Sequence, residues 1–67
     1  MRLTPREHEV ITLVAEGFAD KEIASQLKLS PRTVQTHLNT VMNKLSARNR
    51  TNAVALYIKY GYRRKRI

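Results

Sequence analysis

Apolar residues recur at helical spacing in four stretches of this 67-residue chain, and short polar breaks separate the stretches. The third stretch is the clearest, since its apolar positions lie four, three and four residues apart: Val34, Leu38, Val41 and Leu45. This spacing places the four side chains on one face of a helix. The sequence has no strand-like alternation, so the expected fold class is all-α. We predict a compact four-helix domain with helices at about 5–16, 20–27, 31–45 and 50–60.

Residues that favour helix ends support these boundaries. The expected N-terminal caps are, in chain order, Thr4, Asp20, Ser30 and either Asn49 or Thr51. Short oxygen-bearing side chains accept hydrogen bonds from the free amides of a first helical turn. Glu7 would close a capping box with Thr4. Gly17 and Gly61 are placed to end the first and fourth helices in a left-handed conformation.

The second and third predicted helices are joined by only a few residues, 28–30. Two helices joined this closely are typical of a helix-turn-helix, in which the second helix lies in the major groove of duplex DNA. We interpret residues 1–61 as one domain and residues 62–67 as a basic tail. The tail contains Arg63, Arg64, Lys65 and Arg66. Such a tail suits a phosphate backbone, a minor groove or an anionic lipid surface, or serves only to oppose aggregation.

The charge of the chain is large and one-sided. Thirteen Lys and Arg against five Asp and Glu give a net charge of +8 and an isoelectric point near 10.7. All five acidic residues lie in the first 22 positions, whereas ten of the basic ones lie from position 23 onward. This excess favours a polyanionic partner, nucleic acid before anionic membrane. Composition alone leaves a merely solvated basic surface open, and the helix pattern favours double-stranded DNA.

Composition also argues against several other classes. The chain has no cysteine, and its two histidines, His8 and His37, are far apart. We therefore expect no disulfide, metal or other cofactor. No apolar run is as long as a membrane span and no signal peptide is evident, so we expect a cytoplasmic protein without a membrane partner. An enzyme is not expected, because the sequence lacks a glycine-rich phosphate loop and leaves little chain to enclose a pocket.

The third helix has a polar face opposite its apolar stripe. Its residues are Arg32, Gln35, Thr36, Asn39 and Asn43. Amide side chains can pair with adenine through two hydrogen bonds, and Thr offers a hydroxyl and a methyl group. Each such residue taken alone is more often a solvated surface residue. Their clustering on this helix favours base recognition.

Backbone contacts should flank the base contacts. The candidates are Lys21, Arg32, Thr33, Lys44 and Arg50. Lys44 also suits a simpler role, because a cation near a helix C-terminus complements the helix dipole. His37 lies on the flank of the third helix, where binding a phosphate and packing against the fourth helix are equally compatible with the sequence.

Four blocks of the chain, in order and correctly spaced, resemble the LuxR-type helix-turn-helix domain found in many bacterial response regulators and quorum-sensing activators. The blocks are LTPREHEV, EGFADKEIASQL, LSPRTVQTHLNTVMNKL and ARNRTNAV, from Leu3 to about Tyr57. The resemblance implies sequence-specific DNA binding by a transcription regulator, with possible contact to RNA polymerase. It implies base contacts at Gln35, Thr36 and Asn39. It implies backbone contacts at Lys21, Thr33, His37 and Lys44.

The same resemblance implies a homodimer, at least on DNA, formed through the fourth helix. The residues concerned would be Ala53, Val54, Tyr57 and Ile58. The chain departs from the family pattern at three points. Gln35 stands where the family often has Lys, Ser46 replaces a frequent Gly, and the basic tail is additional.

Two other functions compete with this interpretation. Region four of bacterial sigma factors has a similar four-helix layout, but its recognition helix typically carries an RVRQIE-like stretch. This chain instead has Thr33 and Val34 followed by His37. The other competitor is a protein-interaction module that uses the fourth helix and the tail, with incidental DNA binding.

Overall fold

The structure, a computed structural model, describes residues 2–60; the expected stop at Gly61 and the basic tail lie outside the described residues. Within that range the chain forms four α-helices and no strand. The helices are α1 (Pro5–Ala15), α2 (Asp20–Leu27), α3 (Pro31–Leu45) and α4 (Arg50–Lys59). The all-α prediction is confirmed, and each boundary falls within one residue of the predicted one. None of these helices is long and apolar enough to cross a membrane.

Three of the predicted caps form. Oγ1 of Thr4 accepts from the Glu7 amide at 3.1 Å, and Oε1 of Glu7 accepts from the Thr4 amide at 2.9 Å. Oγ of Ser30 accepts from the Thr33 amide at 3.1 Å, so the third helix is capped as expected. The fourth cap is Asn49 rather than Thr51, since its Oδ1 accepts from the Asn52 amide at 2.7 Å.

The prediction that Asp20 caps α2 is wrong. Asp20 is the first residue of the helix, and Ala19 occupies the cap position, where it offers no side-chain hydrogen bond. Glu22 makes the local contact instead, because its Oε1 accepts from the Ala19 amide at 2.7 Å. The Asp20 carboxylate pairs with Arg50 at the start of α4. A tertiary ion pair has therefore replaced the expected local cap.

α3 lies at the centre of the fold and packs against each of the other three helices. Its apolar stripe is buried as predicted, together with residues from the N-terminal segment and every other helix. The buried apolar residues are Leu3, Val10, Ile11, Ile23, Ala24, Val34, Leu38, Val41, Leu45, Ala53 and Tyr57. Because one face of α3 is buried in this way, its opposite face is turned to solvent.

Left-handed residues end three of the four helices. Gly17 has φ of 96° after α1, as its position predicts, and Lys28 has φ of 58° after α2. Ser46, where the LuxR-type pattern favours Gly, adopts the left-handed conformation with φ of 57°. The turn after α3 closes around it, since the Ala47 amide donates to the Met42 carbonyl at 2.8 Å. A residue with a Cβ therefore occupies a conformation that favours glycine.

Candidate nucleic-acid interface

The solvent-facing side of α3 consists of hydrogen-bonding side chains. We call it the α3 polar face, and it comprises Arg32, Gln35, Thr36, Asn39 and Asn43. At about 100° of rotation per residue, these positions cover roughly a quarter of the helix circumference, opposite the buried stripe. Gln35 is half-buried and the other four are exposed. The fold thus brings together on one surface all three residues predicted to contact bases.

Two of these residues are hydrogen-bonded to each other. Nε2 of Gln35 donates to Oδ1 of Asn39 at 2.8 Å. Side chains four positions apart are neighbours on a helix surface, so the spacing allows this bond. The bond fixes the Gln35 amide relative to that of Asn39 while both remain in reach of solvent.

Thr36 is oriented by its own helix. Its hydroxyl donates to the Arg32 carbonyl at 3.1 Å, four residues earlier. The hydroxyl oxygen keeps lone pairs with which it can accept a hydrogen bond. Thr36 can therefore accept from a base edge without leaving the helix backbone.

The predicted backbone-contacting residues fall into two groups. Lys21 and Arg32 are exposed in the first turns of α2 and α3. Thr33 and His37 are half-buried on α3 beside the α3 polar face, and the Thr33 hydroxyl lies 3.0 Å from that of Ser30. Arg32, Thr33 and His37 thus lie on the same helix as the exposed amides, and Lys21 lies at the start of the preceding helix.

Lys44 is held inside the domain by an acidic residue. Its Nζ lies 2.7 Å from Oε1 of Glu7 and donates to the Arg2 carbonyl at 3.2 Å. Glu7 is the one buried charged residue in the described part of the chain. Burial by itself would raise the pKa of Glu7. The hydrogen bond and charge of Lys44, with the bonds from Thr4, outweigh burial and hold that pKa below its usual 4.5.

Arg50 is also engaged by a carboxylate. Its guanidinium pairs with Oδ1 of Asp20, which joins the first residue of α4 to the first residue of α2. The arginine and aspartate side chains are 39% and 27% exposed, so the pair lies at the rim of the domain. In this structure Lys44 and Arg50 are therefore each paired with a carboxylate of the same domain.

Two of the four α4 residues predicted to contact a partner copy are buried within the domain. Ala53 and Tyr57 are 0% and 2% exposed and belong to the core of the domain itself. They have no surface with which to touch a second molecule. Ile58 is 50% exposed. Val54 is half-buried and lines a shallow groove with Val14 and Phe18.

Tyr57 has a polar role that the sequence did not indicate. Its hydroxyl lies 3.1 Å from Nδ1 of His8 and 3.1 Å from Oγ1 of Thr12, both on α1. Sequence separations of 49 and 45 residues leave no local signal for these contacts. The Gln35–Asn39 bond, in contrast, was accessible from the spacing of two amides on one helix face.

The chain is similar in sequence to known bacterial regulatory proteins. The family model GerE, described as bacterial regulatory proteins of the luxR family, matches residues 1–57. The transcriptional activator protein BjaR1 of Bradyrhizobium diazoefficiens is 49% identical over 59 residues, which are 88% of this chain and 24% of that protein. The response regulator protein VraR of Staphylococcus aureus is 42% identical over 52 residues, which are 78% of this chain and 25% of that protein.

The fold of the chain is also similar to that of a solved structure. A chain in the crystal structure of the phage VqmA–DPO complex matches with a TM-score of 0.85 and 33% sequence identity. The match covers 91% of this chain and 28% of that one. The present chain thus spans about a quarter of the length of BjaR1 and VraR. The chain belongs to the luxR family of bacterial regulatory proteins, and its four helices form the DNA-binding helix-turn-helix domain of that family.

Proposed function

We propose that this domain recognises a specific duplex sequence by inserting α3 into the major groove, as the DNA-binding part of a bacterial transcription regulator. The observation that carries the proposal is the composition of the α3 polar face. Its central side chains are uncharged donors and acceptors, on the face of the helix opposite the core. Charged side chains would supply affinity for any duplex, whereas amides and hydroxyls can distinguish one base edge from another.

In this proposal Gln35, Thr36 and Asn39 contact bases. The two amides supply donors and acceptors together, which is the combination that adenine presents in the major groove. Thr36 supplies an acceptor oxygen and a methyl group that suits the methyl of thymine. The absence of a lysine at position 35 shifts this surface from charge towards hydrogen bonding.

Lys21, Arg32, Thr33 and His37 contact the phosphate backbone in this proposal. Arg32, Thr33 and His37 are supported by their position on α3 near the base-contacting residues, because backbone contacts fix the orientation of the helix in the groove. Lys21 is supported by its charge and its exposure in the first turn of α2. Lys44 and Arg50 would have to leave Glu7 and Asp20 to reach a phosphate. We therefore assign these two cations a role in holding the helices together.

We further propose that two copies bind together on an inverted repeat, through the exposed part of α4. Val54 and Ile58 are the residues of the predicted interface that still have accessible apolar surface. The groove formed by Val14, Phe18 and Val54 extends that surface onto α1. A patch this small favours pairing on DNA over a stable dimer in free solution.

The deciding experiment is a selection of binding sites from a random duplex pool at about physiological salt. We expect enrichment of an inverted repeat with fixed spacing for the wild-type chain and loss of that enrichment for a Gln35→Ala, Asn39→Ala double variant. A single asymmetric, promoter-like element would favour the function of sigma region four, and saturable binding to core RNA polymerase would support that alternative. Binding without any sequence enrichment would contradict base recognition by α3.

A further inference from the structure

The hydrogen bond between Gln35 and Asn39 restricts what these two amides can offer to DNA. Gln35 donates one Nε2 hydrogen to Oδ1 of Asn39 at 2.8 Å. An amide side chain has two N–H donors and one carbonyl acceptor. With one hydrogen engaged, Gln35 keeps one donor and its Oε1 acceptor for a partner outside the protein.

This remaining set distinguishes the four bases. Adenine presents one acceptor and one donor in the major groove, so it matches the free edge of Gln35 with two hydrogen bonds. Guanine presents two acceptors and would need both Nε2 hydrogens of Gln35, but one of them is already donated to Asn39. Cytosine offers a donor and thymine an acceptor, so each satisfies only half of the edge.

We propose that Gln35 and Asn39 recognise DNA as one unit, in which Asn39 is a positioning residue that orients the Gln35 amide to select adenine. The inference rests on the proposed function, since it specifies which base pair that interface selects and why. Asn39 is exposed and Gln35 half-buried on the same face, so a base can approach the pair without disturbing the core. The engaged Oδ1 leaves both Nδ2 hydrogens of Asn39 available for a further contact.

The chemistry of the bond supplies a diagnostic substitution. Only the Oδ1 acceptor of Asn39 is used to hold Gln35, so aspartate at this position would hold it equally well. Asn39→Asp removes both Nδ2 donors and adds a negative charge, which weakens binding to every duplex. The ratio of affinities for different bases is then the proper measurement, because the uniform loss cancels in it.

The test uses the wild-type chain and four variants: Gln35→Ala, Asn39→Ala, Asn39→Asp and the double alanine variant. Gln26→Ala serves as the matched control, because Gln26 is an exposed amide of α2, outside the α3 polar face. Dissociation constants are measured for the selected site and for every base substitution within it. The Gln35 position is defined as the base pair whose preference Gln35→Ala removes.

We expect an A·T preference of roughly 5- to 150-fold at that position in the wild-type chain. Asn39→Ala should remove most of this preference, and the double variant should lose no more than Gln35→Ala alone. Asn39→Asp and Gln26→Ala should retain it. Such non-additive losses identify two residues that act together.

Two results would overturn the inference without affecting the proposed function. One is an intact A·T preference in Asn39→Ala, which would mean that Gln35 needs no positioning. The other is a wild-type preference for a different base pair at the Gln35 position. If Gln35→Ala and Asn39→Ala each left every base preference unchanged, base recognition by this face would itself fail, and the inference with it.

Discussion

Nζ of Lys44 in the last turn of α3 lies 2.7 Å from Oε1 of Glu7 in the first turn of α1. The same carboxylate oxygen accepts from the Thr4 amide, so one buried acid both caps α1 and fixes the end of α3. The N-terminal segment is included, because Lys44 also donates to the Arg2 carbonyl. The packing of the proposed recognition helix against α1 therefore includes an ion pair at its C-terminal end.

Replacing Lys44 by alanine should destabilise the domain. Glu7 would remain buried without its cation, and an unsatisfied buried polar group costs about 1–3 kcal/mol in the free energy of unfolding. Urea unfolding followed by circular dichroism measures this change. Lys59→Ala is the matched control, since Lys59 is likewise a basic residue in the last turn of a helix. Equal stability of the two variants would show that Lys44 acts only on the helix dipole.

The Glu7 carboxylate should make the free energy of unfolding depend on pH in the acidic range. Because its pKa is held below 4.5 in the folded state, its stabilising contribution is complete above about pH 4.5 and is lost as the pH falls through the folded-state pKa. The urea midpoint of the wild-type chain should therefore decrease on acidification. Glu7→Gln should be less stable at neutral pH and converge with the wild type in acid. A constant difference between the two proteins across this range would contradict the assignment.

Ser46→Gly should stabilise the domain. Ser46 has φ of 57°, a conformation that costs a residue with a Cβ about 1–2 kcal/mol, whereas glycine loses about 0.5–1 kcal/mol of chain entropy. The net expected gain in the free energy of unfolding is roughly 0.5–1 kcal/mol. Ser25→Gly, at an exposed position within α2, should instead be destabilising by roughly 0.5 kcal/mol. Thermal unfolding separates the two, and a loss of stability in both would refute the strain argument.

Lys21→Ala should weaken binding to all duplexes alike. A lysine that contacts only a phosphate contributes affinity without base preference, and its removal should reduce the slope of log K against log salt by about one unit. Fluorescence anisotropy over a salt series measures that slope, with Lys59→Ala as a control that should keep the wild-type value. Loss confined to the selected site would place Lys21 among the base contacts instead.

Ile58→Ser should remove cooperative binding to an inverted repeat. Losing apolar burial at the proposed interface should reduce the advantage of a paired site over a single half-site roughly tenfold, with little change at the half-site. Tyr60→Ser is the matched control, since Tyr60 is a comparably exposed apolar residue at the end of α4, outside the proposed interface. Wild-type cooperativity in Ile58→Ser would exclude this part of α4 from the dimer.

The sequence correctly predicted those features of the fold that depend only on residues close together in the chain. The bounds of α3 follow from a four-three-four stripe, an N-capping serine and a proline, all within the helix or next to it. The cap at Asp20 failed because the sequence does not show that Arg50 lies close by in the fold. The Lys44–Glu7 pair was missed for the same reason, since 37 positions separate its members.

The surface of α4 was predicted less well because of its composition. Nearly every residue from Ala53 to Tyr60 is apolar or aromatic, so periodicity does not indicate which side faces the core. Packing against α1 and α3 determines which side of α4 faces the core. It buries Ala53 and Tyr57 and leaves Ile58 exposed. On α3, by comparison, polar and apolar residues fall on opposite faces of the helix, so the sequence alone identified the exposed face.

The ion pairs reduce the number of cations that are available to DNA phosphates. Among residues 2–60, Arg6, Lys44 and Arg50 each face a carboxylate, so each pair presents a short dipole rather than a full charge to a distant phosphate. The full count of thirteen Lys and Arg therefore overstates the number of counterions that this chain releases from DNA. Fewer released counterions mean a weaker sequence-independent attraction, to which Lys21 and Arg32 contribute in the proposed complex, and a weaker attraction favours rapid release from a wrong site. That rapid release lets a small domain search a long polymer for the few positions where its amides find their bases.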